Sequence, residues 1–289
     1  MLFRQRPDIV FFLFKRGVIL SEWTFQQLNQ SAKEIWDKNA KFWDYNMQEG
    51  NSFHTKLIEP AQLSLLDLSP GETILDIGCG NGQFARRMAR YGIKVTALDI
   101  SKEMIRLAKK RTVENTNLIK FLVIDVSSPE ELTHLNQYTF DKAVSTMSLM
   151  DIGSIRPLIS SLARLLPPKG IFVFSICHPC FNTPSKKRIV EKIESENNRN
   201  EILSVNISDY ITPTVQKGVF AEGQPVDHYY FNRPISDIFN SFFEEGFVLN
   251  GMYEPAFKQD DITTDTLWSS WEYFTEIPPV LVARMILLK

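Results

Sequence analysis

Cysteine is scarce: Cys79, Cys177 and Cys180 are the only three in 289 residues. So small and odd a set makes no disulfide framework, and reduced thiols are expected. Membrane-length apolar runs are missing too. Near the N-terminus the apolar stretch 9–14 is cut off by Lys15 and Arg16, too short for a signal-peptide core or a membrane span. A cytoplasmic location is therefore the expectation, and residues 1–20 are open between a docking helix and a non-native extension. Charge of one sign is lacking as well. A formal net charge of −2 gives no overall attraction to phosphate backbones or anionic membranes, which disfavours nucleic acid as a partner. With 13 Gly and 15 Pro the chain is neither fibrous nor low in complexity, and it contains no internal repeat.

What is present is an ordinary globular composition, 44% hydrophobic and 23% charged, enough for one large α/β domain with extensions. From about residue 60, apolar β-type runs alternate with helix-period segments, the signature of βαβ units and a parallel sheet. Strands are expected at 73–77, 94–98, 121–124, 140–146 and 171–176. Helices are expected at 83–91, at a segment capped by Ser101, and at one capped by Ser154. A short helix capped by Ser236 and closing strands at 247–252 and 280–288 complete the pattern. Residues 30–58 place Ile35, Trp36, Phe42 and Trp43 on one face of an amphipathic helix. Residues 181–233 are polar and read as irregular, longer than an ordinary connection. The expected organisation is an N-terminal helical extension or cap over 1–59, then a domain over 60–289 with a polar insertion or lid at about 181–233.

The chemically informative stretch is Ile74-Leu75-Asp76-Ile77-Gly78-Cys79-Gly80-Asn81-Gly82. A strand enters a tight turn where side chains must be absent, so that a ligand can lie against the backbone and the start of the next helix. Asp76 leads the turn, and Asp99 follows Gly82 by 17 residues at the end of the second strand. That second acid stands where doubly wound folds hydrogen-bond the ribose hydroxyls of a nucleoside.

This pattern resembles the class I S-adenosylmethionine-dependent methyltransferases over residues 73–180, with a looser likeness to their small-molecule, quinone-methyltransferase-like branch. The resemblance implies an α/β, doubly wound, Rossmann-like sheet of seven strands, the last antiparallel, with helices on both faces. It also implies S-adenosylmethionine as cofactor, S-adenosylhomocysteine as product and a methyl acceptor that is a small molecule. Asp76 would take the cofactor's ammonium. Gly78, Gly80 and Gly82 would let the backbone approach, with backbone contacts from Cys79 and Asn81. Asp99 would bind ribose and Ile100 would pack on adenine. Asp125 would meet the adenine amine, Val126 would add a backbone contact, and Met147 would lie near the sulfonium.

Two alternatives stand beside this one. A nicotinamide-dependent oxidoreductase would want its third glycine one position later, where Gln83 stands, and would not need Asp76. A regulatory protein could bind the cofactor or a nucleoside without turnover.

Cys177-His178-Pro179-Cys180 admits several readings. A C-x-x-C redox pair wants its first Cys opening a helix, whereas this one follows a strand. A zinc site lacks a second ligand pair, so no metal is expected. A Pro-Cys nucleophile of cytosine methylation would follow the fourth strand, not the fifth. The remaining reading is of structural thiols. His178, at a strand end where such folds place the ligand crevice, is the single candidate for a catalytic base. Trp36, Trp43 and Tyr45 are candidates to roof the cofactor, against plain core. Tyr229, Tyr230 and Glu254 are pocket candidates by elimination. Neither the oligomeric state nor the identity of the acceptor is legible.

Overall fold

Each strand of the central sheet alternates its side chains between two cores, and that alternation fixes where the helices go. A computed structural model describes residues 22–195, 198–219, 222–262 and 270–288; the expectation for 1–20 lies outside them. The chain runs α1 (Glu22–Met47), a π-helical turn (Phe53–Ile58) continuing into α2 (Glu59–Leu66), β1 (Thr73–Ile77), α3 (Gln83–Arg90) and β2 (Lys94–Asp99). Then come α4 (Lys102–Arg111), β3 (Ile119–Val123), a one-turn α5 (Pro129–Leu132), β4 (Lys142–Thr146), α6 (Arg156–Leu165) and β5 (Ile171–Cys177). The last third holds β6 (Lys187–Ser195), β7 (Asn198–Asn206), β8 (Thr214–Gly218), β9 (His228–Asn232), α7 (Ile235–Glu244), β10 (Phe247–Tyr253) and β11 (Val280–Leu287).

Seven strands form one sheet in the order β10-β11-β5-β4-β1-β2-β3. Strands β1 to β5 pair in parallel, and β11 inserts antiparallel to both β5 and β10. This is the doubly wound sheet with its last strand reversed. Leu75 and Ile77 of β1 face α6 and α7. Ile74, on the other side of the same strand, joins α2, α3 and α4. Within the first core, Phe174 and Phe242 stack with centroids 5.4 Å apart at 7°, and deleting a ring so placed costs about 3–5 kcal/mol.

Several local expectations change. Ser101 does cap α4, accepting the Met104 N–H at 3.1 Å. Ser154 does not cap α6, whose N-cap is Ile155 with no side-chain bond; Pro157 inside its first turn has no N–H to satisfy. Ser236 lies inside α7, which begins after Pro234. The helix expected across 30–58 is two pieces, because the chain turns at Gly50 (φ +110°) before the π-helical segment. The insertion is not irregular. Its polar residues build two antiparallel hairpins, β6–β7 and β8–β9, which use backbone pairing where they have no core of their own.

Candidate functional site

The C-terminal ends of β1, β2, β4 and β5 open into a cavity of about 460 Å³, roofed by α1 and the start of β9. This is the position at which doubly wound sheets take ligands, because strand order reverses there and the loops part.

The glycine turn forms one wall, and its three glycines do different work. A Cβ on Gly78 would fall 2.4 Å from the Cβ of Ser148, so this position lets the β4 exit loop close on the turn. At Gly80 (φ +53°) a Cβ would meet nothing within 4 Å, leaving backbone open to the cavity. Gly82 (φ +76°) does not line the cavity; a Cβ there would sit 3.0 Å from the Phe121 ring. The expected ligand approach at Gly82 is thus corrected to close packing of α3 on β3 and α4. Cys79 lines the cavity but donates its N–H to Leu98 O at 2.8 Å, so its amide is spent inside the protein. Asn81 also lines the wall, and its side chain bonds Asp44 Oδ1 at 3.2 Å and Gln48 O at 2.9 Å, tying the turn to α1.

Asp76 is the site's anomaly. It is 1% exposed, it lines the cavity, and neither carboxylate oxygen has a hydrogen-bond partner. Burial, with Asp99 adding repulsion, lifts its pKa to about 7. A buried, unpaired carboxylate of this kind awaits a cationic partner. Asp99 is raised to about 6, again chiefly by burial, although it accepts the N–H groups of Gly80 and Ser101 at 2.8 Å each. Each oxygen retains accepting capacity toward a hydroxyl.

Ile100, Asp125 and Val126 line the same cavity. Asp125 Oδ1 accepts from Ser127 N at 2.8 Å and Ser127 Oγ at 2.7 Å, which fixes the carboxylate's orientation. Met147 also lines it, in a left-handed conformation (φ +51°) held by its N–H donating to Ser175 O at 3.0 Å and Ser175 Oγ at 3.1 Å. Such a backbone costs on the order of 1–3 kcal/mol and persists only where surroundings enforce it.

His178 is placed otherwise. It is 1% exposed, does not line the cavity, and has both nitrogens engaged: Nε2 with Glu254 Oε1 at 2.7 Å, and Nδ1 accepting the Cys180 N–H at 3.2 Å. Burial lowers its pKa against the pull of Glu254. The expectation that it faces the crevice is corrected; the geometry has it holding its own loop, and Glu254 is its partner rather than a pocket residue. Trp36, Trp43 and Tyr230 do line the cavity, whereas Tyr45 is 73% exposed and Tyr229 is not in the lining. Sequence reasoning missed Asp151, His228 and His54 on the cavity wall. Asp151 follows a strand end and could have been suspected on that ground. Nothing local marks His228, which reaches the site only because β9 folds back. Among the described residues no group of three His, Cys, Asp or Glu could hold a metal.

The comparisons with known proteins agree with this geometry. Residues 75–174 match the family described as "Methyltransferase domain". Over 147 residues the chain is 30% identical to a ubiquinone biosynthesis O-methyltransferase of Vibrio cholerae, an alignment covering 50% of this chain and 58% of that protein. The chain thus spans about half the length of the curated relatives it matches. In fold it is similar to an S-adenosylmethionine-dependent methyltransferase from Mesorhizobium loti (TM-score 0.62, 24% identity, 78% of this chain and 96% of that one). It is also similar to the CcbJ methyltransferase from Streptomyces caelestis (TM-score 0.58, 15% identity, 88% and 98%). The class of fold is thereby defined: it is that of the class I methyltransferases, and residues 75–174 are the part that matches the methyltransferase-domain family. No described helix is long and apolar enough to cross a membrane.

Proposed function

We propose that this protein transfers a methyl group from S-adenosylmethionine to a small-molecule acceptor and releases S-adenosylhomocysteine. The observation that carries the reading is Asp76: a buried carboxylate with no partner, beside open backbone at Gly80, in a cavity that Asp99 also lines. An ammonium would complete Asp76, and a ribose diol would use the accepting capacity of Asp99. Ile100 and Val126 offer an apolar slot for a purine, with Asp125 at its edge for the exocyclic amine. Met147 would lie towards the sulfur.

When bound, the sulfonium supplies an already activated methyl group, so the protein's own task is alignment and exclusion of water. Trp36 and Trp43 from α1 and His228 and Tyr230 from β9 close one side of the cavity. Asn39 of α1 locks onto the β8–β9 connection, donating to Val226 O at 2.9 Å and accepting the Val226 N–H at 3.1 Å. α1, the turn that follows it and β8–β9 act as a cover in this proposal, which is suited to a small acceptor. The name of the Vibrio relative supports an oxygen acceptor of small-molecule type.

Calorimetric titration with S-adenosylhomocysteine and with NAD tests the reading. Binding of the sulfur nucleoside alone is expected; tight NAD binding with no response to it would sink the assignment.

A further inference from the structure

Two side chains on the cavity wall have no part in holding the cofactor as proposed: Asp151, in the loop that leaves β4, and His228, at the start of β9. His228 Nε2 lies 3.8 Å from Asp151 Oδ1. That is too long for a direct hydrogen bond, yet one oxygen atom about 2.8 Å from each would bridge the gap.

The tautomer of His228 follows from its other neighbour. The Gln224 amide Nε2 donates to Val226 O at 2.6 Å, which fixes the amide's orientation, and the same nitrogen lies 3.0 Å from His228 Nδ1. An amide NH₂ only donates, so Nδ1 accepts and the proton of the neutral ring sits on Nε2. The ring is held between Trp36 and Trp43, with centroids 5.0 and 6.2 Å away, and burial lowers its pKa to about 4. It is therefore a neutral donor at physiological pH and not a base.

We propose that Asp151 and His228 form the seat of the acceptor hydroxyl, with His228 Nε2–H donating to the oxygen and Asp151 taking its proton. This rests on the methyl-transfer reading above and names its catalytic residue. In the step, an electron pair of the hydroxyl oxygen forms the bond to the methyl carbon as the carbon–sulfur bond breaks towards sulfur. The O–H proton passes to the Asp151 carboxylate, so the products are a methyl ether, a neutral thioether and a carboxylic acid. A hydroxyl satisfies both partners at once, since it donates and accepts; an ether or hydrocarbon of the same shape does not. The groups around Asp151 are Asp99 from β2, Cys177 at the end of β5, His228 and Tyr230 from β9, and Arg233. The Arg233 guanidinium donates to the carbonyls of Leu149, Ile152 and Gly153 in the same loop. Burial, with Asp99 reinforcing it, pushes the Asp151 carboxyl up from the usual carboxylate range.

The test uses the full chain with ¹⁵N-labelled histidine, the His228→Gln variant identifying the signal. Wild-type His228 is expected to remain the Nε2–H tautomer between about pH 5.5 and 8, well above its lowered pKa. In the S-adenosylhomocysteine-loaded protein, phenol should bind about tenfold more tightly than toluene and shift the His228 nitrogens. Asp151→Leu should abolish that preference while leaving S-adenosylhomocysteine affinity within about twofold, the group lost making no cofactor contact in this scheme. A proton on Nδ1, equal binding of phenol and toluene, or an unchanged preference in folded Asp151→Leu would each overturn the proposal. If wild-type protein fails to bind S-adenosylhomocysteine, the methyl-transfer reading falls instead. The phenol–toluene comparison on the ligand-free protein then still decides the hydroxyl seat.

Discussion

Asp99 accepts the backbone N–H of Gly80 at 2.8 Å, so the acid ending β2 also braces the glycine turn ending β1. The two elements that the sequence pattern marks separately are one hydrogen-bonded unit. Its free lone pairs and the open backbone at Gly80 face the same cavity, which is why the site's predictions fall on neighbouring residues with separable effects.

Asp76→Asn should weaken S-adenosylhomocysteine binding by about 1.5–3 kcal/mol, the worth of a hydrogen bond to a charged group. Because the native carboxylate is buried without a partner, the same change should leave the thermal midpoint unchanged or raise it. Calorimetry and a melting curve on one preparation check both, and undiminished affinity in the folded variant would remove Asp76 from the site.

Protonation supplies an independent check. Asp76 and Asp99 have folded pKa values of about 7 and about 6, above the ordinary carboxylate value of 3.8. In that window the folded, ligand-free protein binds more protons than the unfolded chain, so its stability falls as pH rises through the folded values. It is greatest, for these groups, on the acid side. An ammonium ligand needs Asp76 ionised, so S-adenosylhomocysteine affinity should move the opposite way, weakening as pH falls below about 7, with proton release on binding near pH 6. Titrations in buffers of different ionisation enthalpy measure that release; none at pH 6 would count against the pairing.

Gly80→Ala and Gly82→Ala should separate ligand space from packing. Both positions are left-handed, but the Gly82 Cβ would press on Phe121 at 3.0 Å while the Gly80 Cβ would enter open cavity. Gly82→Ala is expected to cost stability by about 1–3 kcal/mol. Gly80→Ala should pay the smaller backbone strain and lose S-adenosylhomocysteine affinity as well. Denaturant midpoints and dissociation constants for the two variants should therefore rank in opposite order.

The cover should respond to ligand. Asp44 of α1 pairs with Arg111 and accepts from Asn81 in the glycine turn, and Arg86 pairs with Glu49 at 2.7 Å. These ties couple the helix end to the site. Hydrogen exchange with and without S-adenosylhomocysteine plus a phenolic acceptor is expected to show added protection in α1 and in β8–β9. Protection confined to the glycine turn would mean that the cover is static.

The sequence alone marked the strands of the sheet, because their signals are local, whereas the order in which they pair belongs to the tertiary structure. β1 was bounded at Thr73 and Ile77 by its own apolar run and the glycines after it. Ser101 announced α4, and Asp76, Gly80 and Asp99 were legible from spacing within one βαβ unit. Tertiary structure decided what depends on contacts between distant segments. His178 looked like a crevice residue until Glu254, 76 positions away, engaged its ring. Gly82 looked like a ligand position until β3 brought Phe121 against it. The polar insertion carried no periodicity that marked strands, since hairpins satisfied by backbone pairing need little apolar alternation. His228 reached Asp151 only through that folding back, and no local pattern records a partnership between residues so far apart in the chain.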